Sequence, residues 1–141
     1  MTKQEKAIKY YLESYLKAKR QIDKAIEMYA RLYATATSTH IYYEGGSGRT
    51  PGDVVGNSVC MLDEAKEKIA EKKADAEAIK QHILHLCKFL KSEKTAKIIQ
   101  MFYLDGLSKV SIADALDCKL SSVSYNIEKG IKEIAKYVEG E

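Results

Sequence analysis

The sequence predicts an all-α protein: a long antiparallel, coiled-coil-like helical hairpin followed by a small domain of short helices. Three observations predict it. The 141 residues hold one proline and no tryptophan, and Ala, Glu, Lys, Ile and Leu dominate, so helix breakers are scarce. Apolar residues recur every seven positions through two long segments. Residues 92–141 then divide into three shorter apolar-periodic pieces, each set off by a capping residue, a glycine or a polar break.

The first helix is expected over about 3–34. Ile8, Tyr15, Ile22 and Tyr29 repeat every seven residues, Tyr11, Ala18, Ala25 and Leu32 follow each by three, and Leu12, Ile26 and Tyr33 widen the stripe. This 3/4 spacing makes a helix–helix seam. The composition then shifts to TATSTHIYYEGGSGRTPGD, rich in Thr, Ser and Gly. It reads as a flexible loop over about 35–52, long for a compact domain. A second long helix is expected from Val54, with Asp53 as its N-cap and Pro51-Gly52 ending whatever precedes it. Val55, Leu62, Ile69, Ala76, Ile83 and Leu90 carry its seven-residue repeat. Ala65, Ile79 and Leu86 fill the companion row, which Lys72 interrupts. A polar seam residue of that kind sets register or oligomer state. Residues 1–91 therefore read as a hairpin and oligomerisation region, its helices pairing within one chain or between chains.

Residues 92–141 read as a separate domain. Ser92 can cap a helix over 93–104 that Asp105-Gly106 ends. Ser108 can cap a second helix over 109–116. After Asp117-Cys118-Lys119, a third helix is expected over 120–138. The last two have the parts of a helix-turn-helix. Ala113 is small enough for a close crossing, Ile112 and Leu116 anchor the near side of a short turn, and Val123, Ile127 and Ile131 anchor the far side. Short polar side chains follow the turn: Ser121, Ser122, Ser124, Tyr125 and Asn126. These are the candidate base contacts, since Asn can bond adenine through two hydrogen bonds and Ser can bond several base edges. Lys129, Lys132 and Lys136 share one side of the helix and, with Lys119, are the candidate phosphate contacts.

Residues 103–134 resemble the promoter-reading C-terminal domain of bacterial sigma factors. Tyr103, Gly106, Leu107-Ser108, Ile112-Ala113, Leu116 and Val123, with aliphatics at 127 and 131, carry the resemblance. Most of the chain resembles small phage-encoded regulators of the RinA and ArpU type, in which a coiled-coil region with a Gly-rich interruption precedes a sigma-like tail. GGSGRTPGDVVGNSV looks like that interruption followed by the start of the second helix. The resemblance implies control of phage or prophage transcription by an oligomer bound to double-stranded DNA in the bacterial cytoplasm. The chain departs from the sigma-like pattern at Asp117, usually Gly, and at Lys119, often Ser. It also has no arginine after Arg49.

Charge qualifies this expectation. The net charge is +3, yet residues 1–40 hold eight Lys and Arg against four Asp and Glu, 41–92 are balanced at eight each, and 93–141 hold seven against eight. DNA binding relies on cations neutralising phosphates, so a near-neutral tail also suits an adaptor docking on host RNA polymerase. A DNA-packaging protein of the small-terminase kind is a third alternative, because it too joins a helix-turn-helix to a coiled coil.

Other chemistry finds little support. GGSGRT lacks the phosphate-loop spacing and a preceding strand. His82, His85 and Cys87 share a helix without a further ligand at metal-binding spacing, and Cys60, Cys87 and Cys118 fit no zinc pattern. No nucleophile, base and orienting acid can be assembled, so neither an enzyme nor a cofactor or metal is expected. No apolar run reaches the roughly 20 residues of a membrane span, and the N-terminus has no apolar signal segment.

Overall fold

The structure is a computed structural model. It describes residues 1–42 and 51–140, with side chains for 1–35 and 60–140. Five helices are present: α1 Lys3–Tyr42, α2 Pro51–Cys87, α3 Glu93–Tyr103, α4 Lys109–Leu116 and α5 Leu120–Glu139. The described residues contain no strand, so the protein is all-α as the sequence predicts.

The two long helices run further than their composition suggests. α1 continues to Tyr42 instead of ending near residue 34. Thr and Ser are only modestly poorer helix formers than Ala, and no Gly or Pro occurs before Gly45. Thr35 shows how such a residue is accommodated, its hydroxyl donating to the Arg31 carbonyl oxygen at 2.9 Å. α2 starts at Pro51, so Asp53 lies inside the helix and is not its N-cap. Proline suits the first turn, where its missing N–H would have no partner anyway. The Gly-rich stretch around Gly45, Gly46, Gly48 and Arg49 lies outside the described residues.

The start of α1 is fixed by a reciprocal cap. The Glu5 N–H donates to Thr2 Oγ1, and the Thr2 N–H donates to Glu5 Oε2, both at 3.2 Å. This satisfies two of the N–H groups that a helix start leaves unpaired. α1 and α2 run antiparallel, Tyr11 meeting His82 and Tyr29 meeting Lys66.

The chain forms two compact units, Met1–Lys17 with Ala76–Glu141, and Ala18–Asp75. This boundary differs from the division at residue 91 expected from the sequence. The reason lies in what the ends of the hairpin touch. A methyl group placed on Gly106 would sit 3.5 Å from Leu16, and the charge of Glu13 reaches the Tyr103 phenol. The Cys87 thiol is hydrogen-bonded with the Gln100 side chain. The N-terminal turns of α1 and the C-terminal turns of α2 thus share a core with α3, α4 and α5.

In that first unit Leu12, Ile83, Ile98, Ile99, Ile112, Val123 and Ile131 are wholly or almost wholly buried. α3 and α5 cross closely at Gly130. A methyl there would lie 2.9 Å from Ile99 Cγ1 and Cδ1 and 3.2 Å from Thr95 Cγ2. The Phe89 ring, just beyond α2, stacks on Tyr137 with centroids 3.9 Å apart. The Lys91 N–H donates to Glu133 Oε2 at 3.4 Å.

The second unit holds the middle of the hairpin. Among its described side chains only Ile22 is buried, while Leu62, Ile69 and Lys72 on α2 are half-buried. Lys66 Nζ lies 6.0 Å from the centre of the Tyr29 ring. Ile26, Met28, Tyr33 and Met61 remain exposed.

Candidate nucleic-acid interface

The candidate interface is built from α4, the turn after it and α5. Ser108 caps α4 as expected, with Oγ accepting from the Ser111 N–H at 3.1 Å. α4 ends on Asp117, whose φ of 51° and ψ of 53° are left-handed. The Asp117 N–H donates to the Asp114 carbonyl oxygen at 3.4 Å, and the Cys118 N–H to that of Ala113 at 3.0 Å. This pair of bonds is a Schellman closure, usually built on glycine. Asp reaches the same backbone conformation at some steric cost. Lys119 is then the N-cap of α5 and makes no side-chain cap bond. Three residues therefore turn the chain from one helix into the next.

The apolar residues predicted to hold this arrangement do so. Ile112 and Val123 are fully buried, Ile131 nearly so, Ala113 and Ile127 are buried, and Leu116 is half-buried. The inward stripe of α5 also includes Gly130, Ile134 and Ala135.

The outward side of α5 carries most of the predicted contact residues. Ser121, Tyr125, Lys132 and Lys136 are exposed, as is Lys119 before the helix, while Ser122, Ser124 and Lys129 are half-exposed. Glu128 is exposed in their midst. Tyr125 leaves 65 % of its surface open.

Asn126 departs from the expectation. It is buried at 8 % exposure and faces α3. Its Oδ1 accepts from Thr95 Oγ1 at 2.8 Å, and its Nδ2 donates to the Ser122 carbonyl oxygen at 2.8 Å. Both ends of the amide are engaged inside the protein, so Asn126 is not a base-reading residue. The signal was in the spacing. Val123, Asn126, Ile127, Gly130, Ile131 and Ile134 form one 3/4-spaced stripe, and the polar side chain disguises its inward member.

Two further residues were missed. Thr95 is fully buried and ties α3 to α5 through Asn126. Leu120, the first residue of α5, leaves 49 % of its surface in solvent. Away from the interface, burial pushes the Cys87 thiol up to about 11, opposed by the Gln100 hydrogen bond. Burial, helped by the charge of Glu13, pushes the Tyr103 phenol up to about 12. Neither group supplies an ionised nucleophile near neutral pH.

His82 and His85 are engaged separately: His82 Nδ1 is hydrogen-bonded with the Tyr11 hydroxyl, and the His85 ring packs edge-on to Phe89. Among the described residues no three His, Cys, Asp or Glu side chains gather where they could hold a metal ion, and no helix is long and apolar enough to cross a membrane. The chain matches no protein-family model, no curated protein and no solved structure.

Proposed function

We propose that this protein is a sequence-specific regulator of phage or prophage transcription, of the RinA and ArpU type, that binds double-stranded DNA as an oligomer in the bacterial cytoplasm. The observation that carries the proposal is the turn at Asp117. It delivers α5 with its apolar stripe held by α3 and α4 and with Ser121, Tyr125, Lys129, Lys132 and Lys136 facing outward. A helix held this way has short polar groups near its N-terminus for base edges and a cationic row further along for phosphates. The exposed Ile26, Met28, Tyr33 and Met61 of the second unit support self-association. Joining two weak modules raises affinity through effective concentration.

The test is selection of bound fragments from host and prophage DNA, repeated across a salt series. A regulator enriches a short common sequence, and log affinity falls with log salt by about 0.9 per neutralised phosphate. Weak binding to all fragments, abolished at moderate salt, would reject the proposal. A second reading is favoured by two observations: Glu128 stands among the outward residues of α5, and the chain has no arginine beyond Arg49. In that reading the same face docks on host RNA polymerase. Changing Lys129, Lys132 and Lys136 to Ala would then abolish polymerase capture by a protein with no measurable DNA affinity.

A further inference from the structure

Resting on the DNA-binding reading, we infer that α5 recognises thymine-containing sites through the 5-methyl groups of thymine, with Leu120 and Tyr125 as the apolar contacts. The inference begins with the readers that α5 does not offer. Residues Leu120–Glu128, the half that a recognition helix presents to base edges, contain neither Lys nor Arg. The commonest guanine contact, a cationic side chain on O6 and N7, has no donor there. Adenine is read by the amide of Asn or Gln. Asn126 is the only such residue on α5, and its amide is committed to Thr95 and Ser122.

Four exposed residues remain at this end of the helix: Leu120, Ser121, Tyr125 and Glu128. Helical spacing puts Ser121, Tyr125 and Glu128 together on the outward side, while Leu120 stands in the first turn in line with Ile127 and Ile131 and leaves 49 % of its surface open. Glu128 only accepts hydrogen bonds when ionised, so it disfavours the paired acceptors of guanine and suits the amino group of cytosine. Leu120 offers only methyl and methylene groups, and Tyr125 offers a ring. The one apolar feature of the major groove is the thymine methyl. Exposed apolar residues are common singly. Here two of them stand in the first turns of α5, the end that a recognition helix presents to base edges.

The experiment uses the full-length chain and the duplex enriched by fragment selection, with each thymine replaced in turn by uracil. That exchange removes the methyl group and leaves every hydrogen-bonding group in place. Affinity is read by fluorescence anisotropy. At contacted positions uracil should weaken binding about 4-fold, the effect of leaving one methyl unburied. In Leu120→Ala, and separately in Tyr125→Ala, the uracil penalty should vanish at one position and persist at the other, as coupled partners require. Both side chains are exposed, and circular dichroism checks that the variants keep their helix content. A preferred sequence bound equally well with uracil throughout would overturn the methyl contact and leave the DNA reading standing. The absence of any preferred sequence would overturn both. Because the uracil exchange alters only the DNA, the inference stays testable even if a variant fails to fold.

Discussion

The two compact units of this protein contain the same seven-residue repeat and treat it differently. At the ends of the hairpin, Leu12, Tyr15, Ile83 and Leu86 are buried, because α3, α4 and α5 complete a core around them. In the middle of the hairpin, Ile69 and Leu62 occupy equivalent repeat positions and stay half-buried, and Ile22 alone among the described side chains is enclosed. A repeat specifies which side of a helix is apolar. The number of neighbouring helices decides how much of that side leaves water, and two helices by themselves leave both flanks of the seam open.

The largest effect that sharpens this contrast comes from truncating one isoleucine in each unit. Ile131→Ala removes a 1 %-exposed side chain from a closed core and should cost about 2–5 kcal/mol. Ile69→Ala should cost clearly less, and urea denaturation of both variants tests the difference. An equal loss would mean that the middle of the hairpin is as well enclosed in solution as the first unit, as it would be inside an oligomer.

The next effect concerns the buried polar pair. Asn126→Ala strands the Thr95 hydroxyl and should lose about 1–3 kcal/mol, whereas Thr95→Val with Asn126→Leu should lose less, because no buried polar group is left unpaired. The same urea denaturation compares them. A double variant no better than Asn126→Ala would show that shape, and not hydrogen bonding, sets the tolerance of this site.

Tyr103 gives the first unit a distinctive pH response. Its folded phenol titrates at about 12 against an ordinary 10.0, so the neutral form is favoured by folding. The resulting stability is fully present below about pH 10 and is lost as pH rises toward about 12. Tyr103→Phe should flatten that alkaline decline, read from urea midpoints across this range. An unchanged decline would place its origin in other groups.

The smallest effects lie at the turn. Lys119→Ser supplies the missing side-chain cap and should add about 1 kcal/mol. Asp117→Gly relieves a left-handed backbone and should add about 0.5 kcal/mol, since glycine also gains freedom in the unfolded chain. Thermal melting measures both, and a loss of stability in either would show that the native side chain makes a contribution beyond the backbone geometry.

Much of the first unit was legible because its punctuation is local. Ser92 and Ser108 cap where expected, Gly106 takes a φ of 72° just beyond α3, and the polar break after Leu116 becomes the turn. The ends of α1 and α2 facing the Gly-rich stretch are not legible in composition, because Thr, Ser and Pro read as breakers there. Each is compatible with a helix in its actual position. Asn126 reads ambiguously for a different reason: its chemistry suggests a base contact, and its period points to the core. The share of the hairpin in the first unit was not legible at all, because no local pattern records that Leu16 will meet Gly106 or that Cys87 will meet Gln100. Such contacts depend on tertiary packing across long sequence separations.

Gly130 has a consequence for how this protein can change over generations. By admitting Ile99 and Thr95 against the backbone of α5, it fixes the seat of the helix from the inside. The opposite side of α5 is then relieved of any structural duty. Ser121, Tyr125 and Glu128 can be exchanged with little effect on folding, so a new specificity is open to single substitutions, while the seat itself tolerates almost none.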